Sequence, residues 1–244
     1  MSSEKTSAIV IRQVDFSESS RIVTLFSKGY GKLSVMAKGA KRLKSAFDSS
    51  LDLLNECEIV FIRKPNASLD LLTSSALLKR FTFPDRNLQR QYASYYIAEL
   101  LDASIEVNDP HEYLYEQTRW VLDRLAEVEE VPIAVVVFEV LLIQELGLLP
   151  DTQQCHCGKP IETNQSYRLW ASQGQFLCHD CHSEEIPSQP FSGLVIQLMA
   201  EIVIREFQLP KLTSREWKPL HQIASSCLNQ AIGRRPKTLK LLQF

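Results

Sequence analysis

Ser27-Lys28-Gly29-Tyr30-Gly31-Lys32 lies between Arg21-Ile22-Val23-Thr24-Leu25-Phe26 and Lys32-Leu33-Ser34-Val35-Met36-Ala37. Two runs rich in β-branched and aromatic residues flank a segment with two glycines, so this stretch predicts two strands joined by a hairpin turn. Ala8-Ile9-Val10-Ile11 precedes it, Glu58-Ile59-Val60-Phe61-Ile62 follows it, and residues 69–78 read as a further strand. Five short strands within residues 1–82 predict a small closed sheet, and an OB-type β-barrel is one common solution. An SH3-like barrel would produce much the same pattern.

Beyond Pro84 the period of apolar residues lengthens to that of helices. Tyr92, Tyr95, Tyr96, Leu100 and Leu101 fall at helical spacing within residues 88–103. Asp109-Pro110 predicts the start of a second helix with Leu114, Val121 and Leu125 inward, and Pro132 opens an apolar third that stops at Gly147. Two more helices are expected over residues 192–207 and 216–231. The chain therefore reads as an α+β multidomain protein, with a barrel over residues 1–82 and an α-helical domain over 83–244. A small insertion over 150–187, between Pro150 and Pro187, interrupts the helices.

That insertion holds Cys155-His156-Cys157-Gly158 and Cys178-His179-Asp180-Cys181, with 20 residues between them. Two thiols from each of two turns suit a structural zinc ion held by Cys155, Cys157, Cys178 and Cys181. The second doublet has the favoured two-residue gap, whereas the first has one residue, which loads strain onto its turn. His156, His179 and His182 stand near enough to replace one thiol. The alternative is a loop that packs without metal, and a disulfide is disfavoured in a reducing compartment. Cys57 and Cys227 stand alone and read as core residues. A deaminase-type catalytic zinc requires His-x-Glu before Pro-Cys-x-x-Cys, but His182-Ser183-Glu184 follows the second doublet. No phosphate loop, Ser/His/Asp set or paired-carboxylate motif stands out, so the expectation is that the protein is not an enzyme.

With 45% hydrophobic and 23% charged residues the chain can bury a core. Its net charge of -2 is unevenly spread, because residues 1–48 carry nine Lys or Arg against four Asp or Glu. Residues 28–44 contain Lys28, Lys32, Lys38, Lys41, Arg42 and Lys44 and no acid. Arg234, Arg235, Lys237 and Lys240 form a second basic cluster. Such patches on an acidic body attract a polyanion, and Phe26, Tyr30 or Phe47 are candidates for stacking on bases. A solvated strand face, or a helix end that favours cations, would carry the same charges. Met1-Ser2-Ser3-Glu4-Lys5 is polar with no apolar core behind it, and the longest apolar run, residues 131–143, is too short to span a bilayer, so a cytoplasmic location without a membrane partner is expected. An RNA-binding OB-fold protein or a protein-interaction adaptor with a structural zinc site would share these features.

The order of features resembles the bacterial recombination mediator family, RecO. Its opening is similar through Ala8-Ile9-Val10-Ile11-Arg12, Asp15-Phe16-Ser17-Glu18-Ser19-Ser20-Arg21-Ile22-Val23 and Gly31-Lys32-Leu33-Ser34-Val35-Met36-Ala37-Lys38-Gly39-Ala40-Lys41-Arg42. Gly147-Leu148-Leu149-Pro150-Asp151 ahead of the cysteines is similar too, as is Arg234-Arg235-Pro236-Lys237-Thr238-Leu239-Lys240-Leu241-Leu242. The resemblance implies an OB-fold domain, a helical domain and a zinc-finger insertion. It also implies binding of single- and double-stranded DNA, annealing of complementary strands, and loading of RecA with RecR onto DNA coated by single-strand DNA-binding protein (SSB), in a cytoplasmic, nucleoid-associated setting. Family members with a complete zinc site carry two Cys-x-x-Cys pairs, and here Gln154 stands where the first cysteine is expected. The residues placed on DNA are Arg12, Arg21, Lys28, Lys32, Lys38, Lys41, Arg42, Lys44, Arg234 and Arg235.

Overall fold

Five strands build the N-terminal sheet: β1 (Ser3–Asp15), β2 (Arg21–Ser27), β3 (Gly31–Ala37), β4 (Asn55–Ile62) and β5 (Asp70–Arg80). They pair in the order β1-β2-β3-β5-β4, and β4 pairs back onto β1, so the sheet closes into a barrel. Neighbours are antiparallel except β3 and β5, which run parallel where Val35 faces Asp70 and Ala37 faces Leu72. This computed structural model describes residues 3–42, 45, 47, 49–64, 68–83, 87–127, 131–182 and 189–243. Lys44, Pro84 and Pro187 lie outside them.

The barrel interior takes alternate residues of each strand, among them Val10, Val23, Leu25, Val35, Ile59 and Phe61. The intervening positions Ile9, Ile11 and Phe26 are buried as well. The helices α1 (Leu88–Ser104) and α2 (Glu112–Glu127) pack on the outside of the strands and cover them. This explains why β1 and β2 read as unbroken apolar runs: a strand covered on both faces has no polar side to show. The turn after β2 is held by Ser27, whose Oγ donates to Gly31 O at 2.8 Å and accepts from Tyr30 N–H at 3.2 Å. Gly31 has φ +65°, and a Cβ there would lie 1.8 Å from Asp109 O. The α1–α2 connection runs alongside β3 at this point, where Asn108 N–H donates to Lys32 O at 3.0 Å.

One carboxylate fastens α2 to the barrel wall. Glu56, on β4, is almost wholly buried; its Oε1 accepts from Tyr115 Oη at 2.9 Å and lies 2.7 Å from Arg119 Nε. Burial and the adjacent Glu56 push the Tyr115 hydroxyl well above its ordinary pKa, so it stays a donor. The α2 helix starts at Glu112, two residues after the expected Pro110.

Residues Met1–Glu127 and Pro236–Gln243 form one compact unit, and Val128–Arg235 with Phe244 form another. The change of residue pattern near residue 83 marks a change from strands to helices; α1 and α2 share a unit with the barrel. In the first unit a 3-10 turn (Thr238–Leu241) docks on α1 through the Glu99 carboxylate, which accepts from the N–H groups of Lys237 (2.8 Å) and Thr238 (2.9 Å).

The second unit is organised around α3 (Val131–Glu145), buried along nearly its whole length, with α4 (Gly193–Ile204) and α5 (Ser214–Ile232) beside it. Ser192 caps α4, a Thr213–Glu216 capping box opens α5, and Gly233 in the left-handed conformation ends it. No helix among the described residues is long and apolar enough to cross a membrane. Between α3 and α4 three short strands, β6 (Ser166–Trp170), β7 (Gln175–Leu177) and β8 (Pro190–Ser192), pair in the order β7-β6-β8. Strands of three to five residues leave no periodicity in the sequence, and this small sheet is an addition to the expected helical domain. The fully buried Glu139 of α3 meets His221 Nδ1 of α5 at 2.8 Å. Burial disfavours the charged ring, but the Glu139 carboxylate outweighs it and holds the His221 pKa above its ordinary value, against a weaker opposing effect of Arg235.

Tyr115→Phe should lower stability in urea unfolding by about 1–2 kcal/mol, and Glu56→Ala by about 3 kcal/mol, since the latter also strips Arg119 and Tyr115 of their shared acceptor. The raised His221 pKa gives a stabilisation fully present below the unfolded-state value of about 6.5 and lost as pH rises through the higher folded value. Melting temperature should therefore fall as pH rises through that window, and His221→Gln should remove that component of the pH dependence.

Candidate metal centre and nucleic-acid interface

The four cysteines of the small sheet converge. Cys155 lies beside β7 through a bridge to Phe176, and Cys178 directly follows that strand. Cys157 follows Cys155 within a tight turn, in which Gly158 N–H donates to Cys155 O at 2.8 Å. Cys181 is reached through another turn, where its N–H donates to Cys178 O at 3.1 Å. The Sγ atoms of Cys155, Cys157, Cys178 and Cys181 all lie within 4.8 Å of one another. Cys181 Sγ is 3.7 Å from both Cys155 Sγ and Cys178 Sγ. A tetrahedron with metal–sulfur bonds of about 2.3 Å has edges of about 3.8 Å, so this donor set fits a four-coordinate zinc. The one-residue gap of the first doublet is accommodated by Gly158 at φ +81°, which reverses the chain after Cys157.

The histidines stay outside the cluster. His156 lies edge-on to Trp170 with its Nδ1 2.6 Å from Gln175 Oε1, and His179 is fully exposed beside Asp180. Gln154 bridges to Pro160. The backbone N–H of Lys159 lowers the Cys157 pKa to about 7, whereas neighbouring Cys157 pushes Cys181 up to about 12 and burial pushes Cys155 up. An ion pair at 3.0 Å between Lys159 and Asp180 joins the two turns. This set could hold a metal ion, and four sulfurs leave no open position for substrate.

The basic residues of the barrel divide between two ends of the β2–β3 hairpin. At the turn end, Lys28 pairs with Glu112 (3.2 Å) and Glu116 (3.0 Å), and the Lys28 pKa is raised chiefly by Glu116. Lys32 Nζ donates to Asp102 O at 2.6 Å, and Arg12, on β1, pairs with the Asp102 carboxylate at 3.4 Å. These three cations tie the barrel to α1 and α2. At the other end, Arg21 and Lys41 share Asp15, at 3.1 and 2.9 Å. Lys38 and Arg42 are exposed there, and neither pairs with a carboxylate among the described residues. Hairpin strands of seven residues separate the two ends by roughly 20 Å. Arg234 and Arg235 are exposed beyond α5 in the second compact unit, whereas Lys237 and Lys240 belong to the first.

The expected stacking residues are otherwise occupied. Phe26 is fully buried, with its ring centroid 5.7 Å from that of Tyr115, and Phe47 is part of the barrel core. Tyr30 lies edge-on to Phe61, donates to Glu4 at 2.8 Å and has Arg63 over its ring. The exposed aromatic near the second basic end is Phe16, at 62% exposure, beside Asp15 in the β1–β2 loop. An aromatic set among Asp15, Ser17, Glu18, Ser19 and Ser20 was the available signal.

Comparison with known proteins covers almost the whole chain. Residues 1–81 match the family model described as Recombination protein O N terminal, and residues 86–240 match that described as Recombination protein O C terminal. A DNA repair protein RecO of Rhodopirellula baltica is 39% identical over 84% of this chain and 77% of its own length. Others, from Listeria monocytogenes and Halalkalibacterium halodurans, are 30% and 27% identical, each over 88% of this chain and 82% of their own. Both halves of the chain, barrel strands and cysteine-bearing helical region alike, thus belong to the recombination protein O family.

Proposed function

We propose that this protein is a DNA repair and recombination mediator that binds single- and double-stranded DNA and anneals complementary strands. Beside the family membership, the observation that supports this most is the end of the barrel where Lys38 and Arg42 stand exposed without carboxylate partners among the described residues, next to Arg21 and Lys41. Cations there neutralise phosphates without reading bases, so sequence specificity is low. Two strands held side by side on such a surface repel each other less, and base pairing nucleates. Lys44, Arg234 and Arg235 are further phosphate contacts in this reading, whereas Arg12, Lys28 and Lys32 contribute less because their charges are engaged. RecR and SSB are the protein partners, and the outcome is RecA loaded on single-stranded DNA, in a cytoplasmic, nucleoid-associated setting.

In this reading residues 1–82 are the OB-type DNA-binding domain, residues 83–244 are the α-helical domain, and the segment 150–187 is the zinc-finger-like insertion of the latter. Zinc held by Cys155, Cys157, Cys178 and Cys181 is structural, fixing the two turns to the small sheet. The protein performs no covalent chemistry in this role.

Fluorescence anisotropy of a labelled single strand titrated with salt, followed by an annealing assay, tests the reading. Lys38→Glu with Arg42→Glu should weaken binding by tenfold or more, on the order expected for two phosphate contacts, and flatten the salt slope by roughly 1.4. Lys28→Ala should change affinity by less than about twofold. Absence of binding even at low salt would redirect the reading to an adaptor, and a preference for matched RNA over DNA to an RNA-binding protein. Elemental analysis should find about one zinc per chain, and Cys181→Ser should lose it along with stability of the second unit.

A further inference from the structure

The β1–β2 loop is tightly built, yet it keeps a large apolar ring in water. Phe16 N–H and Ser17 N–H both donate to Ser20 O, at 3.0 and 3.2 Å, and Ser17 Oγ accepts from Ser20 N–H at 3.2 Å. Lys41 N–H donates to Ser19 O at 3.0 Å, and Gly39 N–H donates to Ser20 Oγ at 3.4 Å, so the loop is clipped to the segment after β3. An ordered loop that leaves Phe16 exposed gains nothing for the fold from that ring. Beside it the outer face of the sheet is apolar: Val14 faces Ile22 and Ile22 faces Met36 across the strands. Val14 is 43% exposed, and Ile22 and Met36 are half-buried.

Asp15 stands at the same corner. Its Oδ1 lies 3.1 Å from Arg21 Nε, and its Oδ2 lies 2.9 Å from Lys41 Nζ. One oxygen of an anion on each cation is also how Arg21 and Lys41 would grip a phosphate. Lys41 and then Arg21 hold the Asp15 carboxyl below its usual pKa, so it remains an anion at neutral pH.

We infer that this corner distinguishes unpaired from paired DNA: Phe16 stacks on a base that only a single strand can offer, the Val14–Ile22–Met36 row receives its neighbour, and Asp15 occupies the Arg21–Lys41 pair until a phosphate displaces it. The inference rests on the DNA-binding reading above and adds to it a preference and a brake. In a duplex the base faces are stacked on one another, so Phe16 gains no partner there, whereas phosphates are offered by both forms. Phe16 therefore acts on single strands alone, and Asp15 acts on both.

The test compares a labelled single strand and a blunt duplex of equal length, by anisotropy at one salt concentration, for the wild type, Phe16→Ala, Phe16→Trp and Asp15→Asn. Phe16→Ala should weaken single-strand binding roughly tenfold and leave duplex binding within about twofold, and Phe16→Trp should restore the preference. Asp15→Asn should tighten both several-fold and steepen the salt dependence, because it frees two cations. If the wild type binds but Phe16→Ala affects both forms equally or neither, the base-stacking role is wrong. If Asp15→Asn is neutral or weakens binding, the displacement is wrong. Failure of the wild type to bind either form overturns the DNA-binding reading, and this inference with it.

Discussion

A sheet that is apolar on both faces cannot stand in water, and this constraint orders the first compact unit. Ile9, Ile11 and Phe26 point away from the barrel interior and must be covered, which α1 and α2 do. The polar pin of that packing is Glu56, a carboxylate sealed against the helices and satisfied by Tyr115 and Arg119. Once the helices sit there, Arg12, Lys28 and Lys32 fall within reach of Asp102, Glu112 and Glu116 and are used to hold them. At the opposite end of the hairpin Arg21 and Lys41 pair with Asp15 of the β1–β2 loop corner, and Lys38 and Arg42 pair with no carboxylate among the described residues. One packing requirement thus divides a run of similar lysines and arginines into those that fasten helices to the barrel and those that do not.

Strand and helix identity was largely legible, because period-2 and period-3.6 patterns are local. The expected strand at residues 8–11 is the apolar middle of a longer β1, whose polar start is held by pairing with β4 and by an ion pair between Lys5 and Glu58. What could not be read was which side of a strand another element would cover. Phe26 looked available for a base because nothing near it in sequence announces Tyr115, 89 positions later. Phe16 is the converse case, since a lone aromatic in a serine-rich loop gives no local sign of the cations that follow β3. The small sheet of the second unit also escaped notice: strands of three to five residues are too short to show a period.

The cysteine cluster is a case where composition was a better guide than spacing. A one-residue gap looked unfavourable for two sulfurs sharing an ion, yet the glycine that follows turns the backbone sharply enough to keep Cys157 within the set. The hairpin of β6 and β7 carries the chain from one turn to the other, so the 20 intervening residues are a scaffold and not a slack tether. The inward side of that hairpin is apolar, with Tyr167, Leu169 and Phe176 buried, and the four cysteines that could hold a metal ion lie at its ends.

The first unit is assembled from two separated pieces of chain, with Pro236–Gln243 completing what Met1–Glu127 begins. In sequence, the second unit is therefore an insertion between the two pieces of the first. On a translating ribosome the barrel and its two helices emerge early, but the turn that binds Glu99 is made only after another 108 residues, a delay on the order of 5–20 s. The nascent barrel waits through that interval with its α1 docking surface incomplete. Splitting the gene at residue 127 would therefore yield a fragment that lacks its own last clasp.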